Sequence, residues 1–325
     1  MQLTSKEIQK LIRQRIQDMP FERKPQSLYA PVRYVLSLGG KRVRPTLMLM
    51  AYNMYKDRPE DIMSAAIGLE TYHNYTLLHD DLMDNAPVRR GNPTVHVKWS
   101  PNAAILSGDS MLVMAYQYIG RCAPAYLPQV LNLFTTTALE IGEGQQYDME
   151  FETRSDVREE EYLEMIRLKT SVLLACALKM GALLADAPAQ DADLLYCFGE
   201  QIGLAFQLQD DYLDCYGDFE TFGKRIGGDI LSNKKTYMLI NALQLAGEVQ
   251  RKELISWIEA KDFDAQEKID RVTALYTEIG IPQLVQQRIN ECYDRAETAL
   301  RAVRLPEERK QVLLSFARDM LNRQS

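Results

Sequence analysis

Chain-breaking residues are scarce: there are 17 glycines and 13 prolines in 325 residues, where average usage gives roughly 12% for the pair. So few breaks favour few, long elements. Alternating runs of β-branched residues between turn clusters are nearly absent, which argues against a sheet-built fold. No tandem period, low-complexity tract or linker-like shift in composition interrupts the chain. The five cysteines (Cys122, Cys176, Cys197, Cys215, Cys292) are odd in number and form no C-x-x-C pair. That excludes a disulfide frame or zinc site of the usual spacing and predicts buried small hydrophobes in a reducing compartment. Positive charge is in deficit, 38 basic against 45 acidic residues for a net −7, the wrong sign for a nucleic-acid partner. Met1 to Lys10 has no apolar core, so no signal peptide is expected. The longest uncharged stretch, Cys122 to Leu139, carries Pro124, Pro128, Gln129, Asn132 and three threonines and is not a membrane span. A cytoplasmic protein is expected. No Ser-His-Asp or Cys-His constellation offers a nucleophile.

What is present has the helical period. Thr4-x-x-Glu7 is a capping box, followed by Ile8, Leu11, Ile12 and Ile16 on one face until Pro20. A helix near Leu28 to Leu38 ends at Gly39-Gly40, and Pro45 opens a third. More helices are expected near 61–85, 101–121, 128–150, 158–183, 191–217, 232–246, 251–261, 266–279, 284–303 and 306–323. The stretch Ser171 to Leu184 is more apolar than a surface helix needs and belongs in an interior or a subunit contact. The chain reads as all-α, one domain over 1–325.

Two carboxylate clusters carry the chemistry. His79-Asp80-Asp81-Leu82-Met83-Asp84 and Gln209-Asp210-Asp211-Tyr212-Leu213-Asp214 each end an apolar helical segment. In each, the first and third acids are four apart and share a helix face. Three like charges at the negative end of a helix dipole repel one another unless a cation compensates them. All-oxygen ligands of this kind suit Mg²⁺, which keeps waters and takes phosphate oxygens in its remaining positions. The bland alternative is a solvated helix end, and two copies make it unfavourable. Nearby stand Gly39-Gly40-Lys41-Arg42-Val43-Arg44-Pro45 and Arg89-Arg90-Gly91, basic residues on glycine turns that serve phosphate. Acid and basic clusters together point to a substrate whose leaving group is a diphosphate.

From about Arg33 to Tyr237 the sequence resembles the trans-isoprenyl diphosphate synthases. The matching pieces, in the family's order, are Gly39 to Pro45, the first aspartate motif within Leu77 to Gly91, and Gly144-Gln145-Gln146-Tyr147-Asp148. Lys169-Thr170, Phe206-Gln207 before the second aspartate motif, and Gly223-Lys224 with Asp229 and Lys234 follow. The resemblance implies a bundle of long helices around a central cavity, usually in a homodimer. It implies Mg²⁺, three ions per active site, on Asp80, Asp84 and Asp210, with Asp81, Asp211 and Asp214 completing the clusters directly or through water. Arg89, Lys169 and Lys224 would hold an allylic diphosphate. Lys41, Arg44, His73 and Arg90 would hold isopentenyl diphosphate, and Lys234 is a further substrate-binding residue. Thr170 and Gln207 would steady an allylic cation. Arg42 is expected to point away as a surface charge, and Lys235 to be a solvated neighbour of Lys234. His79 and His96 fit the pattern without a derivable role, and Asp148 and Gln145 fit either a supporting or a surface role.

The growing hydrocarbon would run down the helix below Asp80, so Tyr72, Tyr75 and Thr76 would set product length; one turn rises about 5.4 Å, near the length of one five-carbon unit. A single aromatic five residues before an uninterrupted motif is similar to the geranylgeranyl type, which implies a C20 product, with C15 as the alternative. A class I terpene cyclase and a non-catalytic partner subunit are more distant readings. The first lacks a second complete aspartate motif, and the second is expected to have lost acids or basic residues that are all present here. The segment after Gly247 is expected to supply supporting helices.

Overall fold

A computed structural model describes residues 2–217 and 226–321. The chain divides into two compact units, one of Met1–Thr135, Cys176–Leu195 and Val303–Leu313, the other of Thr136–Ala175, Tyr196–Ala302 and Leu314–Ser325. In chain order come α1 (Ser5–Gln17), α2 (Gln26–Ser37), α3 (Val43–Tyr55), α4 (Met63–Met83), α5 (Val95–Lys98) and α6 (Pro101–Ile119). Next are α7 (Leu127–Thr153), α8 (Glu159–Ile166), α9 (Val172–Leu184) and α10 (Ala189–Tyr216). They are followed by α11 (Gly228–Leu231), α12 (Tyr237–Leu245), α13 (Glu248–Glu259), α14 (Ala265–Ile279), α15 (Ile281–Ala302) and α16 (Glu307–Leu321). The expected all-α class is what the structure shows, and no described helix is long and apolar enough to cross a membrane.

In the first unit α3 and α4 form the interior. Ten consecutive residues of α3, Pro45 to Met54, are buried, which is why it has no polar stripe. Gly68 lets α4 approach α6 closely: a Cβ there would lie 2.7 Å from Ile119 Cγ1 and 3.0 Å from the Ala115 carbonyl oxygen. The capping box of α1 forms as read, with Thr4 N donating to Glu7 Oε2 at 2.8 Å and Glu7 N to Thr4 Oγ1 at 3.3 Å. The second unit is built around one apolar cluster, including Tyr162, Leu208, Met238, Leu254, Leu275 and Ile289. Helices after Gly247 contribute heavily to that cluster, as expected of supporting elements.

Three expectations need correction. The helix expected over 158–183 is interrupted at Arg167–Ser171 by a π-turn. The helix expected from 232 starts at Tyr237, where the Thr236 side chain caps it by accepting from Leu239 N. Cys197 is exposed and Cys122 only half-buried, whereas Cys176, Cys215 and Cys292 are buried; a thiol tolerates a solvent-facing position because it is small and only weakly apolar. Strand structure among the described residues is limited to Val88–Arg89 paired antiparallel with Asn92–Pro93. The two-residue turn between them has Arg90 at φ 53° and Gly91 at φ 72°, the left-handed pair that matches hairpin twist.

Candidate active site

In the first unit, α4 delivers the first carboxylate set at its C-terminal end. Asp81 is buried at 6% exposure, while Asp80 is half-buried and Asp84 exposed. The hairpin brings Arg89 across to them: its Nε donates to Asp81 Oδ1 at 2.7 Å and its Nη2 to Asp80 Oδ2 at 3.2 Å. Burial pushes the Asp81 carboxyl above its ordinary range, and Arg89 pulls it back. The adjacent residue goes the other way. Arg90 donates to the Gly39 carbonyl, and a Cβ on Gly40 would sit 2.8 Å from its guanidinium carbon. Gly40, at φ 119°, is therefore required twice, by its backbone and by the arginine lying over it.

Below this loop Arg44 Nη1 donates to His73 Nε2 at 3.1 Å. A guanidinium cannot accept, so His73 carries its proton on Nδ1. Burial lowers the His73 pKa well below its usual value, and Arg44, Arg90, Arg89 and Arg42 lower it further. Burial also draws Arg44 down to about 10, with Glu70 opposing and Arg90 adding to the fall. Arg44 Nε is buried with no hydrogen-bond partner. A buried, unsatisfied guanidinium donor beside a neutral histidine and three more arginines is a pocket short of an anion. Lys41 is exposed, and its carbonyl accepts from Gln9 Nε2 at 3.2 Å.

Arg42 corrects an expectation: it is buried, not a surface charge. Its left-handed φ of 49° turns the side chain inward, where it donates to Glu70 and to the Leu36 carbonyl. Glu70, itself buried, also accepts from Asn74 Nδ2 at 2.9 Å. A lone acid in the apolar middle of α4 was the available signal for this counter-ion. His79 packs against Gly108, where a Cβ would lie 2.1 Å from its Nε2, and its ring meets Tyr75 at 4.8 Å. His96 Nδ1 lies 3.3 Å from Thr94 Oγ1. Tyr72 is buried against Phe134, ring to ring at 5.1 Å, and against Tyr75 at 5.5 Å. Thr76 bonds back to the His73 carbonyl at 2.8 Å.

In the second unit the π-turn presents Lys169 and Thr170. It is held between two helix glycines: a Cβ on Gly144 would lie 2.4 Å from Lys169 N, and one on Gly203 would lie 2.5 Å from Ser171 Cα. Lys169 Nζ donates to Asp148 Oδ2 at 2.6 Å. Burial raises the Asp148 pKa, but the charges of Lys234 and Lys169 outweigh it and hold the carboxyl below its ordinary range. Asp148 thus holds Lys169 through an ion pair. Thr170 Oγ1 donates to Gln207 Oε1 at 3.2 Å, and Gln207 Nε2 donates to Asp211 Oδ1 at 3.1 Å. Tyr162 donates its hydroxyl to the other Asp211 oxygen. Asp214 accepts from the backbone N–H of Asp229 at 2.9 Å, and Asp210 is half-buried. Lys234 is exposed and Lys235 half-buried, the reverse of the expected order, because Lys235 folds back on the Asn233 carbonyl at 3.3 Å. Lys224 lies outside the described residues. Tyr162 carries no sequence signal of its own.

The acids fit a hard divalent cation. Among the described residues no three His, Cys, Asp or Glu side chains form a ready cage, and Mg²⁺ requires none, since it is usually held by one or two carboxylates with water and phosphate. Burial raises Asp211, to about 7, and Asp229 adds to the rise while Lys234, Tyr162 and Gln207 oppose it. Burial, more than the neighbouring acid, makes the ionised form costly here, and a bound cation would offset that cost.

The comparisons agree with this inventory. The family described as "Polyprenyl synthetase" matches residues 25–276. The geranylgeranyl diphosphate synthase of Methanosarcina mazei is 42% identical over 223 residues, 68% of this chain and 69% of that protein. A crystal structure titled geranylgeranyl pyrophosphate synthase superposes with a TM-score of 0.94 at 41% identity, covering 99% of this chain and 100% of the other. A geranylgeranyl pyrophosphate synthase from Corynebacterium glutamicum, complexed with isoprenyl diphosphate and magnesium, gives 0.87 at 26% identity over 99% and 100%. With the aspartate motifs, the basic loop and the lysine of the π-turn all in place, the chain belongs to the polyprenyl synthetase family and is a prenyltransferase.

Proposed function

We propose that the protein condenses isopentenyl diphosphate head-to-tail with an allylic diphosphate and that its product is geranylgeranyl diphosphate (C20). The observation that carries this reading is the hairpin at Arg89-Arg90. One arginine holds the carboxylates of the first aspartate motif while the next docks on the Gly39-Gly40 loop, beside the unsatisfied Arg44. Metal-side and anion-side groups thus meet on two adjacent residues.

Asp80, Asp84 and Asp210 would hold magnesium, three ions in all, with Asp81, Asp211 and Asp214 completing the set. Bound there, the metal supplies Lewis-acid stabilisation of the departing diphosphate. Arg89, Lys169 and Lys224 hold the allylic diphosphate as its C–O bond breaks, and Asp148 pre-positions Lys169 so that its charge is in place before charge develops. Lys41, Arg44, His73 and Arg90 hold isopentenyl diphosphate, and Lys234 is a further substrate-binding residue. A neutral His73 serves here as a donor through Nδ1, while Arg44 keeps its Nε–H for the phosphate oxygen. The oxygens of Thr170 and Gln207 steady the allylic cation. The alkene attacks that cation, and a proton then passes to the released diphosphate. Leu77 and the buried Leu78 exclude the water that would quench the cation.

The two units are read as one catalytic domain, an arrangement supported by the family match, which runs across both. The protein is read as a cytoplasmic homodimer. Exposed Leu106 and Val113, at 58% and 59%, lie seven residues apart on one face of α6 and supply an apolar surface for a partner. Incubation with isopentenyl diphosphate, farnesyl diphosphate and Mg²⁺ is expected to release diphosphate and yield a C20 product. No turnover with any allylic starter would overturn the reading.

A further inference from the structure

The second unit carries a cleft that the proposed reaction does not use. The loop Ser155 to Arg158, α12 and α13 enclose about 740 Å³, within the size range of small-molecule sites. Val157, Leu239, Ile240, Leu243, Ile255 and Ile258 give it aliphatic walls. Three cations line it, Arg158, Lys235 and Arg251, against two acids, Asp156 and Glu259. Asp156 already faces Arg154 at 2.8 Å. Lys235 donates to the Asn233 carbonyl at 3.3 Å, and Arg251 donates to the Gln244 carbonyl at 3.0 Å. A carbonyl accepts a hydrogen bond without supplying a full opposite charge. Burial lowers the Lys235 pKa while the Glu152 charge opposes the fall.

An apolar slot with two such cations on its rim matches one hydrocarbon chain ending in an anion. We propose that this cleft is a second, non-catalytic site for a single-chain amphiphilic phosphate or diphosphate. That the enzyme's own product belongs to this class rests on the proposed function; the preference of the cleft for an apolar chain with an anionic head does not. The α12–α13 face is thus a place where a hydrophobic anion is held outside the reaction centre.

The probe is hexadecyl phosphate below its micelle-forming concentration, which cannot ionise to an allylic cation. Hydrogen–deuterium exchange on the full chain is expected to show protection of 155–158 and 237–259. The double variant Arg251→Glu, Ile255→Glu should bind at this cleft about tenfold more weakly, with prenyl transfer unchanged, since neither residue belongs to the machinery. Ile255→Trp, which fills the slot without altering charge, should weaken binding likewise. Absence of protection, equal affinity in all three proteins, or protection only with anionic vesicles and not with the monomeric probe would overturn the proposal. Cleft binding in a protein that forms no prenyl product would sink the proposed reaction and leave this site standing.

Discussion

His73 is where one residue's electrostatics can be measured. Its pKa is depressed by burial and then by four arginines, so the unfolded chain takes up a proton that the folded one refuses. Stability contributed by the neutral ring is complete above its ordinary value near 6.5 and falls as pH drops below it, by up to about 1.4 kcal/mol per pH unit until the folded pKa is reached. The wild type is therefore expected to lose stability relative to His73→Gln between pH 7 and 5, read as the difference between two denaturant titrations. Parallel curves would show that the ring is not held neutral. The same neighbourhood explains what the sequence concealed. Aspartates four apart on a helix can be read directly, because periodicity alone puts them on one face. The inward turn of Arg42 depends on a left-handed backbone after two glycines and on Glu70, 28 residues away, and no local pattern encodes it.

At the scale of elements the π-turn is the informative departure. A helix over 158–183 was legible from its apolar period, but the break was not, since it depends on glycines contributed by two other helices. Gly144 and Gly203 let backbone lie against backbone there, and π-turns of this kind concentrate at functional sites. Gly144→Ala is expected to cost about 1–3 kcal/mol by overpacking and to lower kcat through displacement of Lys169, measured by thermal unfolding and steady-state kinetics. An unchanged kcat would show that the turn tolerates the shift. On α4 the Tyr72 and Tyr75 rings, tilted against each other with Phe134 of α7 edge-on to Tyr72, stand about one to two turns before Asp80. Tyr75→Ala should lengthen the product, as chromatography of the dephosphorylated alcohols would reveal; identical chain lengths would remove Tyr75 as the limit.

For the molecule as a whole, all-α class, long helices and the order of motifs follow from composition and period, because few glycines and prolines leave few places to stop. The division into two units escaped the sequence, since no linker-like stretch marks it and each unit gathers segments far apart in the chain. Assembly is tested at this scale. Sedimentation is expected to give a dimer for the wild type and a monomer for the Leu106→Glu, Val113→Glu pair, whose charges would have to be desolvated in the contact. A monomeric wild type would reject that face as the contact.

The two-residue turn at Arg90-Gly91 has a consequence for how such chains vary. The last strand residue, Arg89, and the first turn residue, Arg90, serve two different clients, the carboxylates and the glycine loop. Inserting or deleting a single residue in the two-residue turn would change its type and break at least one of these two contacts. Length polymorphism should therefore be forbidden at this point even where neighbouring loops drift freely, and deep mutational scanning that includes indels would register it as a sharp local notch in fitness.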